Sequence, residues 1–126
     1  WREALLASGL PKQNLRHLRI YGTSIADVLA LGTEPLCEHS GAIVGEVRHV
    51  ARVEHAATLG DIMLRRTGIS WASCRGLCCH RDVASIAAQE AGWSPEETAA
   101  QVRAFEEEVA YHLPTESSLA ADPLST

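Results

Sequence analysis

The chain has 126 residues, 46% of them apolar and 21% charged, with a net charge of −5. This length and composition are typical of one soluble globular domain with a single buried core. The acidic balance argues against non-specific nucleic-acid binding, which needs a basic face.

Aromatic residues are few, so Leu, Val, Ile and Ala must fill the core, and that mixture favours helices over sheets. No apolar run approaches the roughly 18 residues of a membrane span. The start WREALLASGL lacks the basic segment of a signal peptide. The four cysteines lack the spacing of a disulfide framework and suit a reducing, cytoplasmic compartment. The chain begins at Trp1 rather than Met and is expected to be a piece of a longer protein, whose targeting it does not reveal.

In chain order, residues 1–10 have helical spacing without a clear partner and are expected to form a linker or arm. Pro11 suits the start of a short helix to about Ile20. Its basic run, from Lys12 to Arg19, is diluted by Leu15 and Leu18 and reads as a solvated face. After Gly22, Thr23 or Ser24 can cap a helix to Leu31 with Ile25, Val28 and Leu29 on one side. Residues 33–41 lack periodicity and are expected to be a loop. A third helix is predicted from Ala42 to about Ala56, with Ile43, Val47, Val50 and Ala51 recurring at helical spacing.

Thr58 is a good N-cap for a fourth helix, with Asp61 three residues on and Leu59, Ile62 and Met63 facing inward. Arg65 and Arg66 fall in its last turn, where cations are favoured, and Gly68 can close it. Residues 69–81 read as a second loop. Asp82 can cap a fifth helix ending at Gly92. Ser94-Pro95-Glu96-Glu97 then supplies N-cap, proline and an early carboxylate for a final helix. Val102, Phe105, Val109 and Leu113 form its apolar stripe, and Trp93 is expected to staple its start. Residues 114–126 read as a disordered tail. The expected architecture is all-α: a compact bundle of five or six short helices in a single domain over residues 11–113.

Two groups of side chains stand out. Glu54 shares a helical face with Val47, Val50 and Ala51, so its carboxylate must be paired, shifted in pKa or placed at the stripe's edge. The preferred reading is a structural ion pair with Arg65 and Arg66, ahead of a plain surface position and of a catalytic acid. An arginine fork also suits phosphate, but a helix C-terminus repels anions. The second group is Cys74, Cys78, Cys79 and His80. Cys74-x-x-x-Cys78 has zinc-like spacing, yet adjacent cysteines rarely share one tetrahedral ion, and a further ligand such as His55 or Cys37 would have to be recruited. Free, partly buried thiols are the preferred reading there. The nucleotide, dinucleotide and hydrolase motifs are absent, and no catalytic or cofactor-binding residue is assigned.

The series Tyr21-Gly22, Gly45-Glu46-Val47, Arg52-Val53-Glu54, Thr58-Leu59-x-Asp61, Arg65-Arg66-Thr67 and Ala91-Gly92-Trp93 resembles the C-terminal helical domain of FAD-dependent glycerol-3-phosphate dehydrogenases and alpha-glycerophosphate oxidases. His49 and Gly68 stand where that family usually has an aromatic and a basic residue. The resemblance implies a parent enzyme that oxidises glycerol 3-phosphate to dihydroxyacetone phosphate and passes electrons through FAD to a quinone or similar acceptor. FAD and substrate would sit in a larger N-terminal region, which becomes this chain's expected partner, alongside a second copy of the chain. Membrane contact would come through the parent. The alternatives are a stand-alone helical interaction module and a metal-binding protein built on the Cys74–His80 cluster.

Overall fold

The computed structural model describes residues 1–37, 39–53 and 58–112, excluding the side chains of Val53 and His112. Glu54, Leu113 and the predicted tail lie outside the described residues. Among those described, six α-helices account for most of the structure: α1 (Arg2–Ala7), α2 (Lys12–Leu18), α3 (Ile25–Ala30), α4 (Val44–Val53), α5 (His80–Ala91) and α6 (Pro95–His112). The fold is therefore largely all-α, as the composition predicted. In a small antiparallel pair, β1 (Pro35–Cys37) sits inside the stretch expected to be a loop, and β2 (Ala42–Ile43) takes the first two residues of the helix predicted from Ala42, so that α4 begins at Val44. Strands of three and two residues are too short to show an alternating pattern.

Two apolar clusters hold the molecule together. The larger joins Val47 and Val50 of α4, Val83, Ala84 and Ala87 of α5, Phe105 and Val109 of α6, and Leu59, Ile62 and Met63. The smaller joins Leu5 of α1, Leu18 of α2, Ile25 and Val28 of α3, and Ile43 of β2. Residues 1–10, expected to be an arm, thus include a helix whose Leu5 is buried against α2 and α3. Helix α4 connects the two halves, packing on α3 at its start and on α5 along its length.

The α3–α4 contact explains Gly45. A Cβ there would lie 2.0 Å from the carbonyl oxygen of Val28 and 2.6 Å from that of Gly32. The Gly45 N–H instead donates to the Gly32 carbonyl at 2.8 Å. The glycine is required by backbone-to-backbone approach, although glycine is a poor residue for a helix.

The fourth predicted helix is π-helical, over Asp61–Arg66. Thr58 caps it as expected, its hydroxyl accepting the Asp61 N–H at 2.9 Å. At the other end, the Ile62 carbonyl accepts both the N–H and the hydroxyl of Thr67, at 2.9 and 2.8 Å. That five-residue spacing widens the turn and turns the Thr67 side chain into the interior, where it is buried. Gly68 follows in the left-handed region at φ 71°.

Helix α5 begins at His80, two residues ahead of the expected Asp82, and stops at left-handed Gly92. Helix α6 starts as the sequence predicts, with the Ser94 hydroxyl accepting the Glu97 N–H at 3.1 Å. Trp93 packs against the larger cluster beside this cap.

Candidate metal centre

Arg65 and Arg66 lie on the outer side of the π-helical turn. Arg65 reaches Glu108 of α6 at 3.3 Å and Asp61 at 4.0 Å, and Arg66 reaches Asp61 at 3.4 Å. The Arg66–Asp61 pair spans five residues, the interval that a π-turn stacks on one side. The arginine side chains are 57% and 45% exposed, so these are solvent-screened pairs of small individual worth.

The buried carboxylate with a defined set of partners is Glu46, at the third position of α4, with no exposed surface. One of its oxygens accepts the Ile43 N–H at 2.7 Å, which is the return half of a capping box. The other accepts the Tyr21 hydroxyl at 2.7 Å and lies 2.6 Å from His17 Nε2. The carboxylate therefore ties α2, the turn after it and the start of α4 into one unit. Only half of the sequence signal was present: Glu46 stands where a capping box puts its acid, but Ile43 at the N-cap lacks the hydroxyl of the S/T-x-x-E pattern. What periodicity could not supply was that His17 and Tyr21, more than twenty residues earlier, complete the site.

The sulfur cluster is reorganised relative to its sequence reading. Cys74 and Cys78, the pair with zinc-like spacing, lie together at 3.3 Å, whereas His80 leaves the group and Cys79 stays only at its edge, beside Cys37 and Cys78. Cys79 is buried in the larger apolar cluster, and His80 Nε2 lies 2.9 Å from Glu106 of α6. Their places are taken by Cys37, at the end of β1, and His39, in the turn that follows. The ligand atoms of Cys37, His39, Cys74 and Cys78 all lie within 4.8 Å of one another. The three sulfurs form a nearly equilateral triangle: 3.5 Å from Cys37 to Cys74, 3.3 Å from Cys37 to Cys78 and 3.3 Å from Cys78 to Cys74.

The loop that carries Cys74 and Cys78 turns sharply. Arg75 and Gly76 both have positive φ, 58° and 81°. Arg75 is in a region that costs a non-glycine residue energy, and a Cβ at Gly76 would come within 2.5 Å of Met63 Cε. The turn aims the Gly76 N–H at the Cys74 sulfur, 3.4 Å away. It brings Cys74 and Cys78 to the same side, facing the β1 end.

Burial opposes ionisation of Cys37, but hydrogen bonds from Ser40, Cys78, the His39 backbone and Cys74 outweigh it and bring that thiol down to about 6. At Cys78, burial and the same sulfur contacts push the thiol up. Cys79, where burial leads, is pushed up to about 12.

Elsewhere, a groove of about 450 Å³ runs between α1 and α2, lined by Trp1, Leu5, Leu6, Leu15, Arg16 and Arg19 among others. Its lining is apolar and basic. No helix among the described residues is long and apolar enough to cross a membrane.

The fold and these surfaces define a small, mainly helical module. Residues 1–98 match the family model for the C-terminal domain of alpha-glycerophosphate oxidase, and the chain belongs to that family. It is 36% identical over 105 residues to a glycerol-3-phosphate dehydrogenase of Mycobacterium leprae, a match covering 77% of this chain and 18% of the relative. It is 37% identical over 94 residues to glycerol-3-phosphate dehydrogenase 2 of Mycobacterium bovis and of Mycobacterium tuberculosis, covering 68% of this chain and 16% of each relative. The chain thus spans less than a fifth of the length of these relatives. No solved structure matches it.

Proposed function

We propose that this chain is the non-catalytic C-terminal accessory domain of an FAD-dependent glycerol-3-phosphate dehydrogenase. The parent oxidises glycerol 3-phosphate to dihydroxyacetone phosphate, with FAD and substrate held in its larger N-terminal region. The accessory domain docks on that region and stabilises it. The observation that carries this reading is the family match over residues 1–98, joined to relatives that are several times longer and named for that reaction. The chemistry of the described residues agrees with it. The buried acid Glu46 is consumed by structural hydrogen bonds, and the arginines by surface pairs, so neither is presented to a substrate.

The test is removal of this domain from the full-length parent, followed by measurement of dehydrogenase turnover, flavin content and melting temperature. The expected result is retained flavin and measurable turnover with a lower melting temperature. Complete loss of turnover in a deletion variant that remains folded and fully loaded with flavin would place catalytic groups in this domain and overturn the reading.

A further inference from the structure

We propose that Cys37, His39, Cys74 and Cys78 bind one zinc ion in a tetrahedral structural site that ties the β1–β2 turn to the loop preceding α5. Four observations converge on it. The donor set, three sulfurs and one imidazole, is a standard structural zinc set. A tetrahedron with zinc–sulfur bonds of ~2.3 Å has an edge of about 3.8 Å, and the sulfur triangle, at 3.3–3.5 Å, approximates one face of it. The His39 ring stands within reach of the fourth vertex. The Gly76 N–H, directed at the Cys74 sulfur, and Ser40, hydrogen-bonded to Cys37, are the outer partners that a metal-bound thiolate recruits.

The geometry also sorts the competing chemistries. A disulfide needs two sulfurs at about 2.05 Å, and three mutually close sulfurs leave no pair singled out. A two-iron cluster distributes its four ligands over two metals, whereas these four donors lie close enough to share one. The left-handed Arg75 and Gly76 make sense on the same view, because the reversal at these residues lets Cys74 and Cys78 face one point. Binding releases the thiol protons to solvent and leaves the imidazole neutral, with no change in oxidation state. The site does not depend on the dehydrogenase reading, since it concerns the domain's own stability.

The experiment is metal analysis of the full chain purified without chelator, combined with replacement of the bound ion by cobalt. One zinc per chain is expected, and the cobalt form should show the intense visible absorption of a tetrahedral, thiolate-ligated ion. Cys74→Ser and His39→Ala should each weaken zinc binding at least about tenfold, while Cys79→Ala should retain one equivalent. His39 is exposed, so its replacement keeps the proposal testable even if Cys74→Ser fails to fold. Bound zinc should also protect the exposed Cys78 from alkylation until a chelator is added. Zinc-free protein after zinc supplementation, zinc content indifferent to both ligand variants, a disulfide among the three cysteines, or iron with inorganic sulfide would each overturn the assignment.

Discussion

Two residues early in α4 set how the two halves of the domain meet. Glu46, itself fully buried, satisfies the Ile43 N–H and the Tyr21 hydroxyl and lies against the half-buried His17. Removing the carboxylate takes its acceptor from the buried Ile43 N–H, which costs about 1–3 kcal/mol. Glu46→Ala is therefore expected to lower the unfolding free energy by that amount in urea melts. Glu46→Gln, which keeps an acceptor, should lose less; equal stabilities for the Ala variant and the parent chain would remove the clasp. At Gly45, two effects compete. Alanine gains about 1 kcal/mol of helix propensity over glycine, but its methyl would meet the Val28 and Gly32 carbonyls inside van der Waals contact. Overpacking of this kind costs about 1–3 kcal/mol, and more where the neighbour is backbone. Sterics should win, so Gly45→Ala should have a lower urea midpoint than the parent chain, and a higher one would show that α3 and α4 can separate.

Among the elements, α4 and α5 are joined both by their apolar faces and by charge. Glu90 of α5 is bound by Arg52 of α4 at 2.6 Å, with Arg48 at 3.8 Å. The hydrogen bond from Arg52, followed by the charges of Arg52 and Arg48, outweighs the opposing effect of burial and holds the Glu90 carboxyl below its ordinary value of 4.5. A depressed folded-state pKa means stabilisation that is complete above the ordinary carboxylate range and is lost as the pH falls through the folded value. The melting-temperature difference between the parent chain and Glu90→Gln should therefore be largest at neutral pH and shrink steadily below about pH 4.5. A difference unchanged down to strong acid would show that the pair contributes packing rather than charge. The same scale explains the π-turn: Thr58 caps it as a side chain can, but the choice of a five-residue spacing follows from burying Thr67.

At the scale of the whole molecule, two clusters joined through α4 make a small domain, and its buried acid, Glu46, serves that structure. The purified chain is accordingly expected to fold without flavin and to be colourless in the visible region in its zinc form. A stoichiometric flavin spectrum surviving gel filtration would contradict an FAD site confined to the rest of the parent.

The sequence by itself determined the helical class, the caps at Thr58, Ser94 and Gly92, the inward stripes of α4 and α6, and the family, because these follow from local spacing and from residue types that act on their immediate neighbours. It left residues 33–41 as a loop and ran the third helix from Ala42, since strands of three and two residues have no period to read. The tertiary structure decided which distant groups meet. His17 and Tyr21 come to Glu46 because α2 and the turn after it fold back over the start of α4. Arg65 turns to Glu108 because α6 passes beside the π-turn. Cys74 and Cys78 gain Cys37 and His39 rather than Cys79 and His80, because the left-handed turn at Arg75 and Gly76 faces the β1 end while α5 carries its first residues into the core and toward α6. Such meetings depend on how elements pack, and spacing along the chain does not encode them.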